Sequence, residues 1–337
     1  MIESKIIKSI LNNDHHEAYE AWLLNEKKCR ELISKSRLKN NFLRLLSLNN
    51  KFQNNGLQEF LEREQLRHEL KTNFAIEFSE ALERAKVNHA IIKGPAISSI
   101  YYDNQCDRKF SDIDILISLH DQNRFYKFLN DNCLNHKNNI KFIKRIGYTR
   151  TALEVIDTGE HVIDFHHRIL SKFHKSVCNL TDDILCNVHN SHGIRHTSHE
   201  LNLAVIIYHA CVHNSYKLDP YYLVDFDRVN NYSKLDKNKM PEILDKYNLY
   251  KHYQYCSDLI KKIRSDTLNK KDSKKLFSTF QYMKPNSIKS QLYQIIDPTP
   301  YMNIKADKRN FTYFDFLRTK FKILTKKLRQ NLFWQHK

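Results

Sequence analysis

From Ile91 to Ser118 the chain reads IIKGPAISSIYYDNQCDRKFSDIDILIS, and the reading of this stretch decides the fold. The apolar run that starts at His89 ends in Lys93-Gly94-Pro95, which spells strand, turn and helix start in succession. Gly94 permits close backbone approach, and Pro95 suits the first helical position. A helix is expected over Pro95–Tyr102. Beyond it, a second apolar run carries Asp112 and Asp114. Residues two apart on a strand share a face, so the two carboxylates project together while Ile113 and Ile115 enter a core. Adjacent, partly desolvated carboxylates repel one another. Two arrangements remove the conflict: a strand end where both reach water, or a divalent cation between them. Oxygen donors with no Cys or His pair at this spacing favour Mg²⁺ or Mn²⁺ over zinc.

The surroundings favour the cation. A helix N-terminus offers free N–H groups and the positive end of a dipole, a cradle for phosphate. Lys93 adds a point charge there, and Arg108 adds another four residues before Asp112. In the later run HVIDFHH, Val162, Asp164 and His166 share a face,. A neighbouring strand would bring Asp164 beside the Asp pair. Three carboxylates around two ions about 3.5–4 Å apart form the arrangement for in-line phosphoryl chemistry. His166 has two open readings: orienting or deprotonating an acceptor, or simply resting satisfied beside Asp164.

Lys93-Gly94, a short helix ending in Tyr101-Tyr102, Arg108, and Asp112-Ile-Asp114-Ile-Leu together resemble an uncharacterised bacterial nucleotidyltransferase family of the polymerase-beta-like superfamily. Ile163-Asp164-Phe165-His166 resembles that family's third-acid strand, and Leu201–Val229 is similar to its helical part. The resemblance spans roughly residues 70–260. It implies an α+β fold, a small mixed sheet flanked by helices. It also implies Mg²⁺-dependent use of an NTP, with Asp112, Asp114 and Asp164 as catalytic metal ligands. Lys93, Gly94, Arg108 and Ser111 fall at its nucleotide-binding positions. Two departures stand out. Pro95 lacks the N–H that a Gly or Ser would supply after Gly94, and His167 replaces the usual aromatic after His166.

The rest of the chain frames this core. Residues 1–87 read as helical, with apolar positions such as Phe74, Phe78 and Leu82 at spacings of three and four,. Residues 88–172 alternate short apolar runs with polar turns, with a helix near Gln122–Asn132 and a hairpin turn at Asp157–Glu160. Residues 173–296 are expected to be mainly helical, over Ser198–Asn214, Tyr221–Tyr232 and Pro241–Ile263, with a short strand pair around His192-Gly193. Residues 297–337 read as a linker and a basic amphipathic helix. Its apolar stripe runs from Phe314 to Leu332,. That tail either docks on the helical domain or meets an anionic surface, RNA or membrane.

Composition bounds the remaining choices. The 337 residues are 41% apolar and 28% charged, which suits a packed core and excludes wholesale disorder,. Lys and Arg number 55 against 38 Asp and Glu, a formal charge of +17 that favours anionic partners,. Part of it reflects a general enrichment in Lys and Asn. Seven scattered cysteines without a CxxC pair suit a reduced, cytoplasmic protein,. No signal peptide is expected, and the most apolar window, Leu203–Val212, is too short for a membrane span,. His189, His192, His196 and His199 lie close together, but Gly193 suggests a turn rather than a zinc site,. His209 and His213 have Ala210 where an HExxH motif needs glutamate, and Asp225 and Asp227 read as solvated or capping residues.

The reading that results is transfer of an NMP from an NTP to a hydroxyl of an unidentified acceptor, a protein, saccharide or RNA, with release of pyrophosphate. Three rivals stay open. They are a toxin acting on tRNA, a glycosyltransferase that uses DxD to hold Mn²⁺ and a nucleotide-sugar, and a non-catalytic nucleic-acid-binding module.

Overall fold

The computed structural model describes residues 2–34, 36–52, 54, 56–129, 131, 141–144, 152–157, 161–169, 178–213, 219–269 and 272. The Asp157–Glu160 turn is described only at Asp157, and the linker and tail at 297–337 lie outside the described residues. Five helices come first: α1 (Ile2–Asn12), α2 (His15–Leu24), α3 (Glu26–Ser34), α4 (Lys39–Ser47) and the long α5 (Leu57–Arg84). The central segment follows as β1 (His89–Ile92), α6 (Gly94–Tyr101), β2 (Ile113–Ile117), α7 (Gln122–Leu129), β3 (Lys141–Lys144), β4 (Ala152–Asp157) and β5 (Val162–His166). Then come α8 (Cys178–Cys186), β6 (Val188–Ser191), β7 (Ile194–Thr197), α9 (His199–Ile207), α10 (Pro220–Asn230), α11 (Met240–Lys246) and α12 (Tyr250–Arg264). Among the described residues, no helix is long and apolar enough to cross a membrane.

The main sheet has strand order β1-β2-β5-β4-β3. It is mixed: β2 runs antiparallel to β1 and parallel to β5, and the other pairs are antiparallel. This is the small mixed sheet flanked by helices that the sequence leads one to expect. Its two faces have different neighbours because side chains alternate along each strand. Ile91, Ile113, Ile115, Ile117, Ile163 and Phe165 form one core with Ala75 and Leu82 of α5 and Phe125 and Phe128 of α7. On the opposite face Ala90, Ile92 and Leu116 join a second core. That core unites α1, α2 and α4 with α9, α10 and α12, so helices from both ends of the chain pack over one side of the sheet. Asp114 and Asp164 belong to that side, opposite the isoleucines.

Local signals set the helix boundaries. Asp14 caps α2 by accepting from His16 and Glu17 N–H, Ser198 caps α9 through Leu201 N–H, and Asp219 caps α10 through Tyr221 N–H,. The strand pair expected around His192-Gly193 forms as β6 and β7, with both turn residues at positive φ. Two helical expectations need correction. Pro241–Ile263 is broken into α11 and α12, because Asn248 adopts φ 54° and stops the first helix,. The segment after Ser198 leaves α-geometry at Tyr208 and continues as one wide turn over Tyr208–His213,.

Candidate active site

Asp114 stands at the centre of the site. It pairs with Ile92 across the antiparallel β1 and with Asp164 across the parallel β5. Direct register places Asp114 and Asp164 on one face of the sheet, as the strand pattern requires. Asp112 lies just before β2, and its carboxylate accepts from the Ser111 hydroxyl at 3.0 Å. Asp114 Oδ1 accepts from Lys93 Nζ at 3.0 Å and from His166 Nε2 at 2.8 Å. Burial alone would push the Asp114 pKa up. The Lys93 charge and the His166 hydrogen bond outweigh it and hold the carboxyl well below the usual range,.

His166 is buried, and its bond to Asp114 gives it an orienting role toward that carboxylate. His167, also buried, donates from Nδ1 to the Ile117 carbonyl at 3.2 Å and so helps hold the end of β5 against β2.

Lys93 reaches Asp114 through an uncommon backbone. It sits at φ 61°, ψ −136°, directly ahead of α6. A non-glycine residue in such a region costs about 1–3 kcal/mol and persists only where its surroundings enforce it. Gly94 shows the second constraint: a Cβ there would meet the Asp112 carbonyl oxygen at 3.2 Å. The turn is thus pressed against the backbone of the first carboxylate, and only glycine fits comfortably.

Arg108, expected at the phosphates, is engaged elsewhere. Its Nε and Nη2 donate to the two oxygens of Asp225, each at 2.8 Å, and its Nη1 donates to the Gly94 carbonyl at 3.0 Å. Arg108 is 2% exposed and Asp225 is 0% exposed. A bidentate pair in this geometry, with the bond to Gly94, commits three of the guanidinium's N–H donors within the protein,. Asp225 is therefore neither solvated nor a cap; it is the buried counter-charge of Arg108 and also accepts from the Tyr102 hydroxyl. Asp227 likewise is buried, against Arg264 and Asn231. Sequence reasoning missed the Arg108–Asp225 pair because its partners lie 117 residues apart.

Asp114 and Asp164 present carboxylates on one face of the sheet, with a lysine ammonium drawn to Asp114, and Asp112 lies just ahead of β2; oxygen donors of this kind suit a hard divalent cation,. No group of three His, Cys, Asp or Glu side chains is gathered for a metal among the described residues. The histidines after α8 are engaged in other ways. His196 Nδ1 donates to the Thr197 carbonyl at 2.6 Å and its Nε2 bonds Ser191 Oγ at 3.0 Å, while His199 Nδ1 accepts from the Tyr101 hydroxyl at 2.8 Å. His189, His196 and His199 line a polar cavity of about 720 Å³ beside α11. Cys211 and Cys256 bring their sulfurs to 3.5 Å as thiols.

Among curated proteins no match is found. The solution structure of the antibiotic-resistance factor ANT(2'')-Ia aligns with 11% identity and a TM-score of 0.35, over 56% of this chain and 97% of that one, a likeness too slight to carry weight. A family model described as uncharacterised nucleotidyltransferase matches residues 38–264. That match covers most of the described core, including Lys93, the three aspartates and the Arg108–Asp225 pair, and the chain belongs to this nucleotidyltransferase family.

Proposed function

We propose that the protein transfers an NMP group from a Mg²⁺-bound NTP to a hydroxyl of its acceptor, releasing pyrophosphate. The observation that carries this reading is the register of Asp114 with Asp164, two carboxylates side by side on parallel strands with Asp112 two residues away. Asp112, Asp114 and Asp164 would hold the ion. Bound there, it supplies charge neutralisation at the phosphates and lowers the pKa of the attacking hydroxyl. The acceptor oxygen forms a bond to the α-phosphorus, and the bond to the β-phosphate oxygen breaks. Asp164, the carboxylate in register with Asp114, would take the hydroxyl proton. His166 orients Asp114, and Ser111 orients Asp112. Lys93, at the head of α6 and 3.0 Å from Asp114, would steady the terminal phosphates,.

Isothermal calorimetry tests the reading. ATP and the other NTPs should bind with Mg²⁺ or Mn²⁺, and binding should collapse with EDTA or in Asp112→Asn. Equal affinity with and without the metal would refute it. Mass spectrometry of cell extract incubated with the enzyme and each NTP would then show which acceptor gains the NMP mass.

A further inference from the structure

With Arg108 held by Asp225, a second arginine stands on the same tyrosine. The Arg108 guanidinium carbon lies 5.0 Å from the Tyr221 ring centroid, and that of Arg37 lies 5.4 Å from it. Tyr221 is fixed between them in the fold: it is buried, and its hydroxyl donates to the Lys109 carbonyl at 2.8 Å. We propose that Arg37, in the turn between α3 and α4, binds the phosphates of the nucleotide, so that the N-terminal helices complete the active site. This inference rests on the nucleotide reading above.

Four observations converge on it. First, Arg37 is exposed, and its guanidinium makes no hydrogen bond or ion pair with any described residue. Its five N–H donors are thus available in the fork that matches phosphate oxygens. Second, its position leads to the site: its guanidinium packs on Tyr221, the ring that also carries Arg108, whose Nη1 holds the Gly94 carbonyl. Asp219 is committed to capping α10 through Tyr221 N–H at 3.0 Å. Third, the Tyr222 ring stands 5.5 Å from that of Tyr221, and its hydroxyl, raised in pKa by burial, is pulled back by the charges of Lys93 and Arg37. Fourth, Lys71 of α5 donates to the Phe110 carbonyl at 3.4 Å and also feels Asp112, so a second basic group from the N-terminal helices borders the same carboxylate. Arg37 immediately precedes the segment that the family model matches.

A structural alternative would make Arg37 a surface counter-charge for Asp112. Calorimetry on the full chain with Mg²⁺ and three probes, ATP, inorganic pyrophosphate and AMP, separates the two. In Arg37→Ala, ATP and pyrophosphate should each bind about tenfold or more weakly, as expected for loss of a charge-assisted contact. AMP affinity should change less than about twofold, and the melting temperature should hold because Arg37 is exposed. Arg37→Lys should recover part of the lost affinity, keeping the charge without the fork. Unchanged ATP and pyrophosphate affinity in Arg37→Ala, with wild-type binding intact, overturns the inference and leaves the nucleotide reading standing. Equal losses for all three probes, or a lowered melting temperature with them, make Arg37 structural and overturn it too. Wild-type protein that binds none of the probes defeats the nucleotide reading and this inference together.

Discussion

Arg108 and Asp225 meet side-on, 117 residues apart in the chain, with two hydrogen bonds of 2.8 Å and almost no exposure to solvent. The third donor of Arg108 holds the Gly94 carbonyl. This one side chain therefore couples α10 to the turn that carries Lys93. Removing one partner leaves a buried charge without its counter-ion, which costs about 3–5 kcal/mol. Asp225→Asn and Arg108→Met should each lower the unfolding free energy, read from urea titration, by an amount of that order. The double variant with Asp225→Leu should recover much of the loss, because an apolar pair avoids the stranded charge. A single variant that loses less than about 1 kcal/mol would show that the pair does not support the fold.

Gly94→Ala tests the contact at the other end of that coupling. The new Cβ would lie 3.2 Å from the Asp112 carbonyl oxygen, so either α6 or the start of β2 must move by a few tenths of an ångström. Overpacking of this kind costs about 1–3 kcal/mol. Because the displaced backbone belongs to Asp112, the variant should lose metal-dependent NTP affinity out of proportion to its loss of stability. Gly56→Ala, at an exposed helix start with only Asn54 near, serves as the control and should leave both quantities unchanged. An unaffected NTP affinity in Gly94→Ala would mean that the turn is not in register with the carboxylate.

How much of this was legible in the sequence follows from the range of each interaction. The strands that carry Asp114 and Asp164 were readable because alternation of apolar and polar residues is a local signal, and their shared face follows from it, while Asp112 lies just ahead of β2,. The turn at Lys93-Gly94-Pro95 and the β6–β7 pair at His192-Gly193 were readable for the same reason. The destination of Arg108 was not, since nothing within several residues of it announces Asp225. Asp225 itself was misjudged because a helical aspartate looks solvated until its partner is known. The positive φ of Lys93 was hidden too, because lysine commonly sits in ordinary backbone, whereas the break at Asn248 had a local signal, since asparagine tolerates positive φ,.

His89 predicts a pH dependence. It is fully buried; its Nδ1 donates to the Val87 carbonyl at 2.8 Å, and its Nε2 lies 2.7 Å from the Ser79 hydroxyl, which donates to it. Burial lowers its pKa from 6.5 to about 4, against the opposing hydrogen bond to Val87. The unfolded chain therefore takes up a proton at this residue below about pH 6.5, while the folded chain does so only below about pH 4. Stability should rise with pH across that window and level off above it. His68 and His196, also lowered to about 4 by burial, act in the same direction. Asp114 acts in a lower window, because a carboxyl with a depressed pKa loses its contribution only below about pH 4,. Urea midpoints measured from pH 4.5 to 7 should climb and then plateau, and His89→Gln should flatten part of the climb. A midpoint independent of pH over that range would contradict the neutral, buried histidine.

Lys93 sets fold and function against each other. At φ 61° and ψ −136° it occupies backbone space that glycine enters freely and a side chain enters at a cost,. Its ammonium meets Asp114 at 3.0 Å, at the point where positive charge is wanted for phosphate. Two substitutions separate these effects because both remove the charge and only one removes the strain. Lys93→Gly and Lys93→Ala should lose NTP affinity alike, by about ten- to hundredfold for a charge-assisted contact, and more for NTP than for NMP. Their stabilities should differ: the glycine variant should be firmer than the alanine variant by about 1 kcal/mol or more, since alanine keeps the strain without the ion pair. Thermal and urea unfolding of the pair measure the difference directly. If the two variants unfold together, the backbone at Lys93 is not strained. If NTP affinity survives in both, the lysine faces Asp114 for structural reasons alone, and the phosphate role passes to other cations around the site.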